Sequence, residues 1–600
     1  MPSSVSITNN LDSSSWLIQK YGGTSLGKFL LNIPQKTLPD ALSSGRKVVI
    51  VCSARSGQSK STGTTNLLLQ AALEAIQPNP NIKNSPDAFN LNHSNHSSIN
   101  PSVLSQILSR GSTPKLLSRS NSTANGLTSP TFPSSTPSSP PYSKHLNLNS
   151  ISTSNLTQLE HSATSRFNHT IELIKSDHLR AANEIIRNQD VLSELEQDIS
   201  FDCDRLKSLL LATQILDDIS PKSKDLIVAV GERLSSRLVT ACLIDQGFRA
   251  EFICLDNIVN KSDFESIDLD PSDALRDHGG QLRQPFYDLL ASKLAQRLRQ
   301  CQDRIPVVTG FFGVVPGSLL AQVGRGYTDL CAALCAVGLG AVELEIWKEV
   351  DGIFTADPRK VPKAKLLSVV TPEEAAELTY YGSEVIHPFT MEQVIRASIP
   401  IRIKNIMNPT GPGTVIYPNQ SIPPSPCDLD LELPTNHNLK APTAVTIKED
   451  IIVLNIHSNR KTISHGFFAR IFGILDKFGI IVDLISTSEV HVSMAIMLSE
   501  RDRLNGLDRL ERELKDIGNV SVMNDMAILS LVGRKMKNMV GIAGKMFSTL
   551  AAGNVNIEMI SQGASEINIS CVISNQDSSK ALKLVHDTLV IGSSIENRSE

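Results

Sequence analysis

The chain has 600 residues, with 57 Lys and Arg against 61 Asp and Glu and a formal net charge of −4. That balance excludes a broad nucleic-acid-binding surface, which needs a basic stripe, and no apolar run approaches the roughly 18 residues that cross a bilayer. A chain of this length divides into two to four domains.

In chain order, the N-terminus MPSSVSITNNLDSSSW has no arginine, carries an Asp and lacks an apolar h-region. No secretory or organellar leader is expected, and the cytoplasm is the expected location. The first strand is Trp16-Leu17-Ile18, which leads through Lys20 into a Gly-Gly-Thr-Ser turn. Gly22, Gly27 and Lys28 nearly spell the P-loop G-x-x-x-x-G-K-[ST], but Phe29 stands where a Mg²⁺-binding hydroxyl belongs. A strand feeding a turn of exposed backbone N–H groups cradles phosphate in other folds as well. KVVIVCSA, Lys47 to Ala54, is continuously apolar, as a parallel strand buried on both faces would be, and it precedes the helical TNLLLQAALEAI. Residues 78–165 break this pattern. Rich in Ser, Asn, Pro and Thr, they lack the apolar surface that offsets ordering entropy and read as a disordered insertion. Ser129-Pro130, Thr136-Pro137 and Ser139-Pro140 have the form of proline-directed phosphorylation sites, although a tolerated surface loop is the plainer reading.

DLIVAVGERLSSRLVTACLIDQG then reads as a strand ending at Gly231 and a helix running to Gly247. IPVVTGFFG and AVELEIWKEVDG are further strands, with TDLCAALCAVGLG a helix between them. Cys331 and Cys335 lie on one buried face of that helix, and the nine cysteines, with no C-x-x-C pair, are expected to be reduced core thiols. Strands alternating with helices predict a parallel sheet covered on both faces. Its ligands would bind beyond the carboxyl ends of the strands, where Ser53, Gly231-Glu232 and Thr309-Gly310 are expected.

After about Pro434 the chain repeats itself. Gly466 aligned on Gly541 brings Phe472 onto Phe547, Leu475 onto Leu550, Val482 onto Ile557, Asp483 onto Glu558 and Ile485-Ser486 onto Ile560-Ser561. Each copy reads strand, glycine turn, helix, strand, turn, strand, which predicts two small ferredoxin-like modules.

Several residues carry chemistry. Lys20, ahead of two glycines, can balance charge that develops during phosphoryl transfer, though a strand-end lysine is commonly just solvated. In VGRGYTDLCAAL, Arg325 and Asp329 stand among glycines at a helix N-terminus, which favours anions. Arg325 offers a bidentate grip on a carboxylate, and Thr328 or Asp329 would equally serve as a helix cap. Glu232 is an acid suited to a substrate ammonium or to a helix dipole. WKEVDGIFTADPRKV combines aromatic faces, acids and Arg359 in a loop that suits a purine nucleotide, although a generic surface loop has similar composition.

Taken together and in this order, KYGGTS, VVIVCSA, GERLSS, GRGYTD, WKEVDGIFTADPR and ELTYYGSEVIHP resemble the aspartate kinases, and the repeats resemble their paired ACT regulatory domains. The resemblance covers almost the whole chain, leaving out residues 1–15, the insertion and the last few residues. It implies an α/β amino-acid-kinase fold plus two ferredoxin-like ACT domains. The expected division is a flexible 1–15, a catalytic 16–420 interrupted by 78–165, a linker 421–442, and ACT domains 443–517 and 518–593.

The resemblance also implies transfer of the γ-phosphoryl of Mg-ATP to the side-chain carboxylate of L-aspartate, the first step toward threonine and methionine. Lys20 would stabilise the transferring group, and Asp329 would orient that lysine and help organise the metal-nucleotide. Arg325 and Glu232 would hold the aspartate carboxylate and ammonium, with Ser53 and Thr65 adding contacts. Gly22, Gly23, Ser25, Lys348, Glu349, Phe354 and Arg359 would hold the nucleotide, and Mg²⁺ would arrive with ATP, with no direct protein ligand. Ser464, Phe467, Phe468, Val482, Asp483, Ser488 and Glu489 would bind an allosteric amino acid, threonine being the usual inhibitor of the fungal members this chain most resembles. A homo-oligomer formed through the ACT domains is implied, as is a monofunctional enzyme.

Two departures stand out. Tyr327-Thr328 replace a common Gly-Ser, and Glu384 replaces a nucleotide-binding lysine of bacterial members, so that role is not carried over. A catalytically silent amino-acid sensor and another amino-acid kinase remain the alternatives.

Overall fold

The continuous apolar runs become strands whose alternate side chains enter two different cores. Leu17, Val48, Ile50 and Cys52 face one, and Ile18, Val49 and Val51 face the other. This is the period-two outcome for strands covered on both sides. The structure, a computed structural model, describes residues 15–57, 63–76, 166–259, 282–315, 318–380, 386–417, 441–458, 466–488, 491–497, 506–534, 536–563 and 567–592. The expected insertion 78–165 and nearly all of the linker 421–442 lie outside the described residues.

Eight strands make the first sheet: β1 Trp16–Tyr21, β2 Lys47–Cys52, β3 Ala250–Ile253, β4 Ile305–Thr309, β5 Glu343–Lys348, β6 Val369–Val370, β7 Ile401–Asn405 and β8 Thr414–Ile416. Their order is β3-β4-β2-β1-β5-β7-β8-β6. All pairings are parallel except β7 with β8. The chain steps from β1 to β2 on one side and later places β5 on the other, so the order reverses at β1, where a ligand crevice is expected. Helices Thr64–Ile76, Arg166–Ile185 and Gln189–Leu216 cover one face, and Gln284–Arg299, Tyr327–Leu339 and Pro388–Arg396 the other.

One expected element is corrected. DLIVAV is not a strand: residues Pro221–Asp245 form a single helix, N-capped by Ser220, whose side chain accepts from the N–H of Ser223, with Pro221 in its first turn. Over residues 227–243 the helix is buried nearly all round, polar residues included, and its short apolar stretch 226–230 has no periodicity to separate it from a strand. Gly231 therefore sits inside the helix, where an added Cβ would come within 2.9 Å of the Ala54 side chain. The glycine permits close passage of the loop after β2.

The second sheet has order β10-β11-β9-β12-β14-β13, formed by β9 Ala444–Ser458, β10 Val482–Thr487, β11 His491–Met497, β12 Gly518–Val532, β13 Met559–Ser561 and β14 Asn568–Ser574. Gly466 and Gly541, equated by the repeat, both have φ 83° and both precede a helix, Phe467–Lys477 and Ile542–Ala552. The two 15-residue strands β9 and β12 run through both modules. The C-terminal half of β9 pairs with the N-terminal half of β12, and the remaining halves pair in the second module.

The second module also packs on the first sheet's domain. Ala356 and Val361, from the loop after β5, are buried in the module's own core beside Leu529 and Leu531. Val445 N–H donates to the Thr355 carbonyl at 2.9 Å, and the Thr355 hydroxyl meets His586 Nε2 at 3.0 Å.

Candidate active site

Lys20 is the penultimate residue of β1, in register with Val51 of β2 and Ile346 of β5. Its ammonium lies 2.5 Å from Asp329 Oδ1, and both side chains are largely buried, at 9% and 14% exposed. A buried ammonium persists only when paired, so the ion pair fixes the charge at the carboxyl end of the central strand.

Asp329 stands in the first turn of the Tyr327–Leu339 helix, whose N-cap is Gly326 and whose cap makes no side-chain hydrogen bond. Neither Thr328 nor Asp329 caps it. The Thr328 hydroxyl donates instead to Glu232 Oε1 at 2.5 Å, and the Phe311 N–H donates to Oε2 at 2.6 Å. Burial pushes the Glu232 carboxyl up to about 7, against the hydrogen bonds from Thr328, Phe311 and Tyr327 and the nearby Lys20 charge, all of which pull it down. Glu232 reaches the end of β4 from the middle of a helix, not from a strand end as expected. Gly310 allows the approach, since a Cβ there would come within 2.5 Å of Thr328.

The Gly-Gly-Thr-Ser segment is a helix start, with Gly22 as N-cap of the Gly23–Lys28 helix. Gly23 has no space for a side chain, because a Cβ would sit 2.3 Å from the Ala54 carbonyl oxygen. Ser25 donates to Glu349 Oε1 at 2.6 Å, joining this segment to the loop after β5. The loop after β2 is held from three sides. Ser56 N–H donates to the Gly23 carbonyl at 2.9 Å, Arg55 N–H donates to Ser235 Oγ at 2.7 Å, and the Arg55 guanidinium pairs with Asp177. Ser53 and Thr65 are half-buried in and just after this loop.

The structure thus brings Lys20, Asp329 and Glu232 together and joins Ser25 to Glu349. Arg325 lies in the Gly324–Gly326 turn just before the helix. Lys348 ends β5, Phe354 is half-buried, and Arg359 is 88% exposed with its guanidinium 2.8 Å from Asp357 of the same loop. In the first repeat, Phe467 is buried against Phe468 edge-on, and Val482 and Asp483 open β10. Ser488 N–H donates to the His491 carbonyl at 2.9 Å. Ser464, Glu489 and Glu384 lie outside the described residues.

Three contributors escaped the sequence reading. Thr328 is legible in the sequence as a cap and as a departure beside Tyr327, but not as a partner of Glu232. Arg55 carried no local signal, because its partners are distant in sequence. Asp225, read as part of a strand, is buried and accepts from Ser318 Oγ at 2.8 Å and from the N–H groups of Leu319 at 2.7 Å and Leu320 at 3.1 Å. It holds Ser318 at φ 114°, a strained conformation for a residue with a side chain, ahead of the GRGYTD segment. The Ser220-Pro221 helix-start signal would have placed Asp225 on a helix.

Residues 15–405 match the amino acid kinase family, and residues 529–589 match an ACT domain. The chain is 42% identical to the aspartokinase of Schizosaccharomyces pombe, over 98% of this chain and 95% of that one. It is 43% identical to the aspartokinase of Saccharomyces cerevisiae, over 96% of this chain and 93% of that one. Two structures of E. coli aspartokinase III, one in complex with aspartate and ADP and one with lysine and aspartate, share the fold. Their TM-scores are 0.61 and 0.63 at 22% identity, covering 96% of this chain and 100% and 99% of theirs. Identity above 40% across nearly the full length of two fungal relatives, on this fold, leads to one conclusion: the chain belongs to the aspartokinase family of enzymes.

Proposed function

We propose that the protein transfers the γ-phosphoryl group of Mg-ATP to the side-chain carboxylate of L-aspartate, giving 4-phospho-L-aspartate and ADP. The observation that carries this reading is the buried Lys20–Asp329 ion pair at the carboxyl end of β1, in a chain of the aspartokinase family. A carboxylate is already a nucleophile and needs no general base. Both reactants are anions, so alignment and charge neutralisation are the task.

Lys20 places a fixed positive charge where the transferring group gathers negative charge, and Asp329 aims it. Glu232 takes the substrate ammonium. Its two oxygens have about four acceptor sites, so capacity remains beyond the bonds from Thr328 and Phe311. Arg325 grips the substrate α-carboxylate, and Ser53 and Thr65 add polar contacts. The glycine-led start of the Gly23–Lys28 helix, with Lys348, Glu349, Phe354 and Arg359, holds the nucleotide. Mg²⁺ would arrive with ATP and would supply charge neutralisation at the phosphates, and Asp329, a hard oxygen donor, would help organise the metal-nucleotide.

Asp483, with Ser464, Phe467, Phe468, Val482, Ser488 and Glu489, binds a feedback amino acid, threonine in our reading, with lysine as the competing choice. Phe468, Phe472 and Ile485 are exposed apolar residues of the first module, which supports a homo-oligomer paired through that surface. Among the described residues no helix is long and apolar enough to cross a membrane, and the cytoplasm is the proposed location. Residues 16–420, 443–517 and 518–593 are the proposed catalytic and two regulatory divisions.

The test is ATP-dependent acyl-phosphate formation trapped with hydroxylamine, comparing L-aspartate with L-glutamate, each with and without threonine and lysine. Aspartate-dependent hydroxamate suppressed by threonine is expected. No hydroxamate from folded protein supplied with magnesium would overturn the catalytic reading in favour of an amino-acid sensor.

A further inference from the structure

Asp483 is already paired. Its Oδ1 accepts from Lys448 Nζ at 2.6 Å, with the two side chains only 4% and 15% exposed. Its Oδ2 is buried and has no hydrogen-bond partner among the described residues. A buried carboxylate with one oxygen unmet is an acceptor awaiting a donor.

Lys448 lies on β9 where the register with β12 slips. Lys448 faces Ile528, but Ile451 faces Met526, so β9 carries an extra residue, and Asp450 there has φ 61°. A bulge re-aims neighbouring side chains. Lys448 points to Asp483, while Glu449 pairs with Lys360 Nζ at 2.7 Å and accepts from Ser578 Oγ at 3.1 Å. Lys360 belongs to the loop that carries Phe354 and Arg359, and its N–H donates to the carbonyl of Asp357, the partner of Arg359. Consecutive residues of one bulge thus hold the first module's acid and the loop after β5.

We propose that Lys448 is the resident cation of Asp483 in the effector-free protein, and that the β9 bulge passes its displacement through Glu449 to the loop after β5. The proposal rests on reading Asp483 as an effector-binding residue. An amino-acid ammonium drawn to Oδ2 meets Lys448 on the other oxygen of the same carboxylate, and the two like charges repel. Lys448 withdraws, the bulge shifts, and the Glu449–Lys360 pair carries the shift to the nucleotide loop. The bistable element is the bulge, and the effector biases it by competing for one carboxylate.

The experiment uses the full-length protein and four forms: wild type, K448M, K448R and E449Q. Calorimetry measures threonine and lysine binding, and the hydroxamate assay measures inhibition relative to each form's own uninhibited rate. In K448M the bound amino acid should bind roughly two- to tenfold more tightly, the range of a partly buried ion pair, yet inhibit less completely. K448R should keep wild-type coupling, which shows that the site folds and needs the charge. E449Q should bind the amino acid as the wild type does but lose part of the inhibition. K448M with unchanged or weaker binding, or with undiminished inhibition, overturns the proposal. If neither amino acid binds the wild type, the effector reading of Asp483 has failed and the proposal falls with it, a result distinct from binding that Lys448 does not influence.

Discussion

Thr328 donates its hydroxyl proton to Glu232 across 2.5 Å, one residue before the aspartate that meets Lys20. Two helices distant in sequence, Pro221–Asp245 and Tyr327–Leu339, are thereby locked together, and the lock sets where Asp329 stands.

Replacing Lys20 by Ala removes the charge proposed to face the transferring group and leaves Asp329 buried without its partner. Turnover should fall by on the order of 10² to 10³, and stability by roughly 3–5 kcal/mol. Hydroxamate assays and denaturant titration of the same preparation check both. Lys20→Arg should recover stability more fully than turnover, because a planar fork keeps the charge but not its position. Unchanged turnover in Lys20→Ala would remove Lys20 from the chemistry.

Glu232 gives the protein a pH dependence of definite sign. Its carboxyl is raised by burial to about 7 in the folded state, above its ordinary unfolded value of about 4.5. The stability it contributes is therefore fully present below about pH 4.5 and is lost as pH rises through about 7, by up to about 3 kcal/mol. Glu232→Gln should flatten that part of a stability profile measured by denaturant between pH 5 and 8. The wild-type KM for aspartate should fall as pH rises through 7, since only the carboxylate attracts an ammonium. A wild-type stability profile that rises across that interval and stays unchanged in Glu232→Gln would contradict this assignment.

His586 is buried and ties the second module to Thr355 of the loop after β5. His586→Ala should cost about 1–3 kcal/mol through an unfilled space and an unpaired hydroxyl. It should raise KM for ATP more than it lowers kcat, and His586→Gln should restore part of both. Burial holds the imidazole below its ordinary value of 6.5, with Lys363 and Lys365 adding to the effect and Asp587 opposing it. Its contribution is thus present above pH 6.5 and is lost as pH falls through the folded value. Melting curves of wild type and His586→Ala should converge in mild acid.

Helices Thr64–Ile76 and Arg166–Ile185 flank the insertion and meet directly, the Thr170 hydroxyl donating to Glu74 at 2.8 Å. Replacing residues 80–164 by a short Gly/Ser connection should leave soluble protein whose kcat is within about twofold of wild type, because loop-closure entropy changes little with length. Loss of folded protein on size-exclusion chromatography would show that the segment supports the core.

Much of this molecule was legible in the chain itself. The continuous strands β2 and β4, the helical grammar between them, and the matched glycines Gly466 and Gly541 are set by local periodicity and by backbone conformation. These act over a few residues. Lys20 and Asp329 were legible as chemistry, although only the fold put their charges 2.5 Å apart. The strand expected at DLIVAV was wrong, because an apolar stretch buried on every side has no polar face to mark a helical period.

What tertiary structure alone decided are the pairings between distant residues: Glu232 with Thr328, Arg55 with Asp177, Asp225 with Ser318, His586 with Thr355. The sharing of β9 and β12 between the two modules belongs with them. Each joins residues far apart in the chain, where no local preference favours one partner over another. The choice falls to whichever folded arrangement satisfies buried polar groups and closes the packing at once. Local sequence sets the exposed and periodic strands, helices and turns, the fold decides a segment buried on every side such as DLIVAV, and desolvation on folding determines which polar side chains must find one another.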